Sequence, residues 1–96
     1  MEANEVVKKY LTKDGKILQY PSKKTIRPHI LSYIASQFEE GKKYSEKEVN
    51  QIIRDHIDFS DHELIRRELF MYHFMNRLRD GSEYWRELPG PELPVL

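Results

Sequence analysis

Ninety-six residues, 39% hydrophobic and 33% charged, suffice for one folded domain with a heavily charged surface and leave no room for a second core. The absence of cysteine excludes disulfides, zinc–thiolate centres and thiol catalysis, and it fits a reducing cytoplasm. A formal net charge of zero argues against strong binding to nucleic acid.

The charge is nonetheless unevenly spread. Residues 1–24 carry six Lys against three acids, a net of +3. Residues 25–60 carry five bases against six acids, a net of −1, and residues 61–96 carry five Arg against seven acids, a net of −2. Lysine dominates the first quarter, while the last third uses arginine alone, the cation better suited to fixed bidentate contacts with phosphate or carboxylate. No apolar run approaches the length of a membrane span and the N-terminus has no signal-peptide pattern, so no membrane partner is expected.

In chain order, Asn4 is the candidate cap of a short helix carrying Val6, Val7, Tyr10 and Leu11. Residues 11–12 and 16–19, separated by Asp14-Gly15, are expected to form a small hairpin or extended pair, which Pro21 ends because proline cannot donate to a ladder. Thr25 is the candidate cap of the first long helix, with Pro28 tolerated inside its first turn. Ile26, Ile30, Ile34 and Phe38, flanked by Leu31 and Ala35, form its apolar face, and Gly41 is placed to close it. Ser45-Glu46-Lys47-Glu48 is a capping box opening a second helix over about residues 46–57, with Val49, Ile52, Ile53, His56 and Ile57 at helical spacing. A third helix, about residues 61–72, starts from Ser60 with Glu63 in the reciprocal box position; Leu64, Ile65, Leu69 and Tyr72 form its stripe and leave Arg66 and Arg67 largely off it.

Asp80-Gly81 then predicts a two-residue type I′ turn, with positive φ at both positions. The register that follows opposes Arg79 to Ser82, Leu78 to Glu83, Arg77 to Tyr84 and Asn76 to Trp85. Alternation puts Met75, Arg77, Arg79, Tyr84 and Arg86 on one face and Leu78 with Trp85 on the other, with Trp85 as the expected core anchor. The fold expected is α+β and winged-helix-like: three main helices, a C-terminal β-hairpin wing and a short N-terminal hairpin or extended pair, all within residues 1–87. The proline-rich run 88–96 has no periodicity and is expected to be an extended or flexible tail.

Three arginines beside Tyr84 on a hairpin face could grip phosphates and stack on a base or sugar. The competing reading is a solvated face whose arginines pair with Asp80, Glu83 or Glu87, contacts that contribute only about 0–1 kcal/mol. Arg66 and Arg67 point about 100° apart, so one can fold back onto a carboxylate such as Glu63 while the other meets a partner. His56, Asp58 and His62 are of types that suit a divalent ion, but His56 lies on an apolar stripe, and a core histidine is the commoner outcome; no metal is expected. His29 and His73 have no evident partner in the sequence. With no phosphate-binding glycine loop, no nucleophile elbow and paired carboxylates already accounted for by helix starts, neither enzymatic activity nor a cofactor is expected.

Four segments carry a resemblance: Gly15-Lys16-Ile17 with Tyr20-Pro21-Ser22-Lys23; Tyr44-Ser45-Glu46-Lys47-Glu48-Val49-Asn50; Ile65-Arg66-Arg67-Glu68-Leu69; and Gly81-Ser82-Glu83-Tyr84-Trp85-Arg86. Over about residues 9–86 the chain resembles the domain of unknown function 2087, a small bacterial family found alone or fused to helix-turn-helix regulators. The resemblance implies a winged-helix-like domain associated with transcriptional control and transfers no catalytic residue. Where its members have a glycine-containing turn after the Arg-Arg-Glu-Leu helix, this chain has Met71-Tyr72-His73-Phe74-Met75.

Two functional expectations follow. One is a non-enzymatic regulatory module that contacts DNA through Arg66 or Arg67, the wing residues Arg77, Arg79, Tyr84 and Arg86, and Lys23 and Lys24. The other is a protein-interaction or dimerisation domain, a homodimer among its forms, with Tyr84 and the Leu93-Pro94-Val95-Leu96 end as interface candidates.

Overall fold

A computed structural model describes residues 3–96, with side chains from Glu5 onward; the expected Asn4 cap lies outside the described side chains. The element order is α1 (Ala3–Lys8), α2 (Arg27–Ala35), α3 (Glu46–Asp55), α4 (His62–Met71), β1 (Met75–Arg77) and β2 (Tyr84–Arg86). This is a mixed α+β architecture in winged-helix-like order: four helices followed by an antiparallel two-stranded hairpin. α2 buries His29, Ile30, Leu31, Ile34 and Ala35, too many for one stripe, and so occupies the centre, with α1 and α4 packed against it and α3 against α4.

The helix starts follow local hydrogen bonding. α3 has the full capping box, with Ser45 Oγ accepting from the Glu48 amide at 3.1 Å and the Glu48 carboxylate accepting from the Ser45 amide at 2.8 Å. α4 starts one residue later than a Ser60 cap requires: Asp61 is the cap, accepting from the Leu64 amide at 3.4 Å. Thr25 does not cap α2 either. The amides of Ile26 and Arg27 both bond the Lys23 carbonyl, so a turn already feeds the chain into the helix and Ile26 takes the cap position with helical φ. At the other end Gly41 plays no part, because α2 stops at Ala35. Ser36 Oγ donates to the Tyr33 carbonyl at 2.6 Å, and successive tight turns swing Phe38 into the core.

Two extended stretches tie the helices together. Leu11 and Ile17 form an antiparallel bridge around the Thr12–Gly15 turn, the expected pair at its shortest. Ile17, fully buried, also bridges Ile57 in parallel: its amide donates to the His56 carbonyl and its carbonyl accepts from the Asp58 amide, both at 2.7 Å. Tyr44, between α2 and α3, exchanges backbone bonds with Tyr84 at 2.8 and 2.7 Å, which makes β2 the middle of the sheet and β1 its outer strand. The outward amide of Arg77 on β1 donates to the Asn76 side-chain carbonyl at 2.8 Å.

The hairpin has the expected register, Asn76 opposite Trp85 and Arg77 opposite Tyr84. Its turn and its facing differ from expectation. The Gly81 amide bonds the Leu78 carbonyl, and of Asp80 and Gly81 only Gly81 has positive φ, at 76°. The reversal is therefore centred on Arg79 and Asp80, with glycine in the left-handed position after it, and it is not type I′. Asp80 Oδ1 instead accepts from the Ser82 amide and hydroxyl, which needs no left-handed aspartate. Met75 and Tyr84 face the core, while Leu78 is 42% exposed and Trp85 only half-buried under the Lys43 ammonium, 3.7 Å from the ring. Trp85 is not the anchor, because the bridge to Tyr44 docks the Tyr84 side of the ribbon against the helices.

The end of α4 and the tail complete the body. The Phe74 amide bonds Leu69 O and the His73 amide bonds Phe70 O, a Schellman closure with His73 at φ 66° in the position glycine favours. Tyr72, expected on the apolar stripe, is 49% exposed as the C-cap. Beyond β2 the chain is extended and folds back: Leu93 packs against the core, and the Pro94 carbonyl accepts from His29 Nε2 at 2.9 Å.

Candidate functional site

The alternation of α4 separates two sets of side chains. Ile65 and Leu69 are fully buried, so Arg66, Arg67, Phe70 and Met71 turn toward the side where the hairpin arrives. Arg66 is the restrained member of the arginine pair. Its Nη1 donates to Asn50 Oδ1 and its Nε lies 3.7 Å from Glu46 Oε1, which also accepts from the Tyr84 hydroxyl at 3.3 Å. Glu46 and Asn50 stand one turn apart on α3, so the brace joins α3, α4 and β2. The partners are these two residues rather than the expected Glu63. Glu46 is half-exposed, so the ion pair itself adds little; the hydrogen bond and the packing of the Arg66 stem contribute more.

β1 supplies the other wall. The Arg77 guanidinium lies 4.6 Å over the Phe70 ring, and its Nη1 donates to the Arg79 carbonyl at 3.4 Å. Between α4 and the hairpin lies a cleft of about 380 Å³. Glu63, Arg66, Arg67, Phe70 and Met71 of α4 line it, with Glu46 of α3 and Arg77 and Tyr84 of the hairpin.

The candidate residues thus divide. Arg66, Arg67 and Arg77 meet at one cleft, and Arg79 is exposed in the adjoining turn. Arg86 is half-buried opposite Met75. Tyr84 does not offer a free ring: it is 4% exposed and its hydroxyl is engaged by Glu46, and burial followed by that carboxylate's charge raises its pKa above the usual tyrosine value. Lys23 and Lys24 lie elsewhere. Lys23 borders an apolar hollow formed by Val6, Tyr10 and Ile26 against Val95 and Leu96, and Lys24 shares a smaller one with Arg27, Pro28 and Tyr72. Their separation follows from the turn at residues 23–26, which commits that segment to the start of α2.

The histidines and acids between α3 and α4 are engaged separately. His56 Nδ1 donates to the Ile52 carbonyl at 2.7 Å, and His62 Nε2 accepts from Arg54 at 3.2 Å. Among the described residues no three metal-ligating side chains converge. Sequence reasoning missed Glu46, Phe70 and Met71 as cleft residues and Asn50 as the partner of Arg66. Signals existed: Glu46 and Asn50 are four apart on one helix face, and Phe70 is a large apolar residue 100° off the stripe.

A small winged-helix-like α+β domain with an arginine-lined cleft between its last helix and its hairpin is the class defined by these features. The chain belongs to the family described as "Uncharacterized protein conserved in bacteria (DUF2087)", which matches residues 16–86. Searches of curated proteins and of solved structures gave no match. Among the described residues, no helix is long and apolar enough to cross a membrane.

Proposed function

We propose that this domain is a non-enzymatic module of bacterial transcriptional regulation, working in the cytoplasm, that contacts nucleic acid through phosphates along α4 and the hairpin. The observation that supports this reading is the state of the arginines. Among the described residues the ion pairs are Arg27–Glu68 and Arg66–Glu46, so Arg67, Arg77, Arg79 and Arg86 have no carboxylate partner although seven acids share their third of the chain. Asp80, the nearest acid in sequence to Arg79, is spent on Ser82. Cations without carboxylate partners are what a polyanion neutralises with release of its counterions.

Three to four such contacts give a log–log salt slope of about −3 for a short duplex, given roughly −0.9 per phosphate. Fluorescence anisotropy across a salt series measures it. Arg67→Gln and Arg79→Gln are each expected to reduce the slope by about one, since each removes one phosphate contact. Binding that is flat in salt, or no binding at low salt, overturns the reading.

A second reading, a protein-interaction or dimerisation module, is favoured by apolar exposure at the same end: Met71 at 59% and Leu78 at 42%. Tyr84 is withdrawn from that interface by burial, and Leu93 and Pro94 by the fold-back of the tail. A mass that rises with concentration supports it.

A further inference from the structure

Resting on the nucleic-acid reading, we propose that the α4–hairpin cleft receives a single nucleotide unit, its base stacked on the Phe70–Arg77 pair and its phosphate held by Arg67. A helix that reads a duplex presents a protruding face to the major groove. Here the equivalent face of α4 forms one wall of a hollow of about 380 Å³, within the roughly 300–1,000 Å³ typical of small-ligand sites. The Arg77 guanidinium, 4.6 Å from the centroid of the Phe70 ring that it covers, and the ring itself are the two kinds of planar group on which an unpaired base stacks.

Within the cleft itself the charges fit one phosphate, which leaves Arg79 and Arg86, outside its lining, for the neighbouring phosphates of a strand. Arg66 is balanced by Glu46, which leaves Arg67 and Arg77 against Glu63, a net of +1. A whole-chain charge of zero likewise suits a small footprint better than a long duplex. Glu63 has a further role: its carboxylate offers an acceptor to a base with an exocyclic amino group, so a cytosine fits better than a uracil. The nucleotide can come free or as one residue of a single strand.

Amide NMR titration of the full chain tests this with five probes: cytidine monophosphate, uridine monophosphate, a short deoxycytidine single strand, that strand paired with its complement, and inorganic phosphate. Saturable shifts at Phe70, Arg77 and their neighbours are expected from the cytidine nucleotide, from the single strand, or from both, and the responding probe identifies the source. The uridine nucleotide should bind more weakly and phosphate alone should leave Phe70 unmoved. Arg77→Lys keeps the charge and removes the plane, and should weaken nucleotide binding about tenfold, the size of one lost stacking contact, with an otherwise unchanged spectrum. Silence from both nucleotide and single strand, equal shifts with phosphate alone, or an unaffected Arg77→Lys variant each overturns the proposal. A duplex response at α4 and the hairpin without any nucleotide or single-strand response sinks this inference and leaves the phosphate-contact reading standing. Binding of the free nucleotide with no response to either polymer sinks the nucleic-acid reading instead and leaves a small-molecule pocket.

Discussion

Tyr20 joins two sequence motifs distant in the chain. Its hydroxyl donates to Glu68 at 2.5 Å, Arg27 pairs with the same carboxylate at 3.6 Å, and the Arg27 guanidinium lies 4.4 Å over the Tyr20 ring while its Nε donates to the Pro21 carbonyl. The Tyr-Pro and Arg-Arg-Glu-Leu segments thus meet through Arg27. Burial, then the bond to Glu68 and that carboxylate's charge, push the Tyr20 hydroxyl far above the ordinary tyrosine range, so it remains a donor at any workable pH. Because the folded value is raised, this stabilisation is complete below about pH 10, the unfolded tyrosine value, and declines as pH rises beyond it. Tyr20→Phe is expected to lose about 1–2 kcal/mol in urea unfolding at pH 7, and the gap from the parent should narrow above about pH 10. The sequence makes Glu68 visible only as part of a helix; nothing local reveals a partner 48 residues away. By the same logic, neighbouring arginines on a helix announce that they diverge, but which one is restrained depends on Asn50 and Glu46 across a helix–helix contact.

Helices were legible where the chain carries its own hydrogen-bond partners, as at the Ser45–Glu48 box, and shifted by a residue where two caps compete, as at Ser60 and Asp61. The hairpin register was legible because pairing must close around Asp80-Gly81, yet its facing was not. Two faces of one ribbon differ only in what they meet, and Tyr44, forty residues upstream, makes that choice. The expectation of Trp85 as the core anchor had no local sign of the hydroxyl–Glu46 bond and the backbone bridge that seat Tyr84 instead. The closure of α4 yields a prediction at this scale. His73 adopts a left-handed conformation that costs an L side chain roughly 1 kcal/mol. His73→Gly is therefore expected to raise stability by about 0.5–1 kcal/mol, seen as a higher urea midpoint with unchanged slope, and His73→Val to lower it.

Across the whole molecule, segments without regular structure hold the helices in place. Ile17 is inserted beside the α3–α4 connection, and the tail returns over α2, so the two ends of the chain clasp a core built mainly in its middle. Composition announced one domain, and periodicity found α2, α3 and α4. A proline-rich run carries no pattern from which docking could be read, because its anchor is one leucine and one backbone carbonyl. Leu93 is half-buried, so Leu93→Ala should cost about 1–2 kcal/mol, below the range for a fully buried leucine, and should speed amide exchange at residues 93–96 and around His29 more than at α3.

The Asn76 side chain bears on the molecule's neighbours as much as on its fold. An outer strand with unspent amides templates further strands, the route to edge-to-edge aggregation and fibril growth. Here the outward amide of Arg77 is occupied by the side chain beside it, and the strand is only three residues long. A short edge with one amide already spent is a poor template for β-extension, which works against copies crowded in a cell seeding one another into continuous sheets.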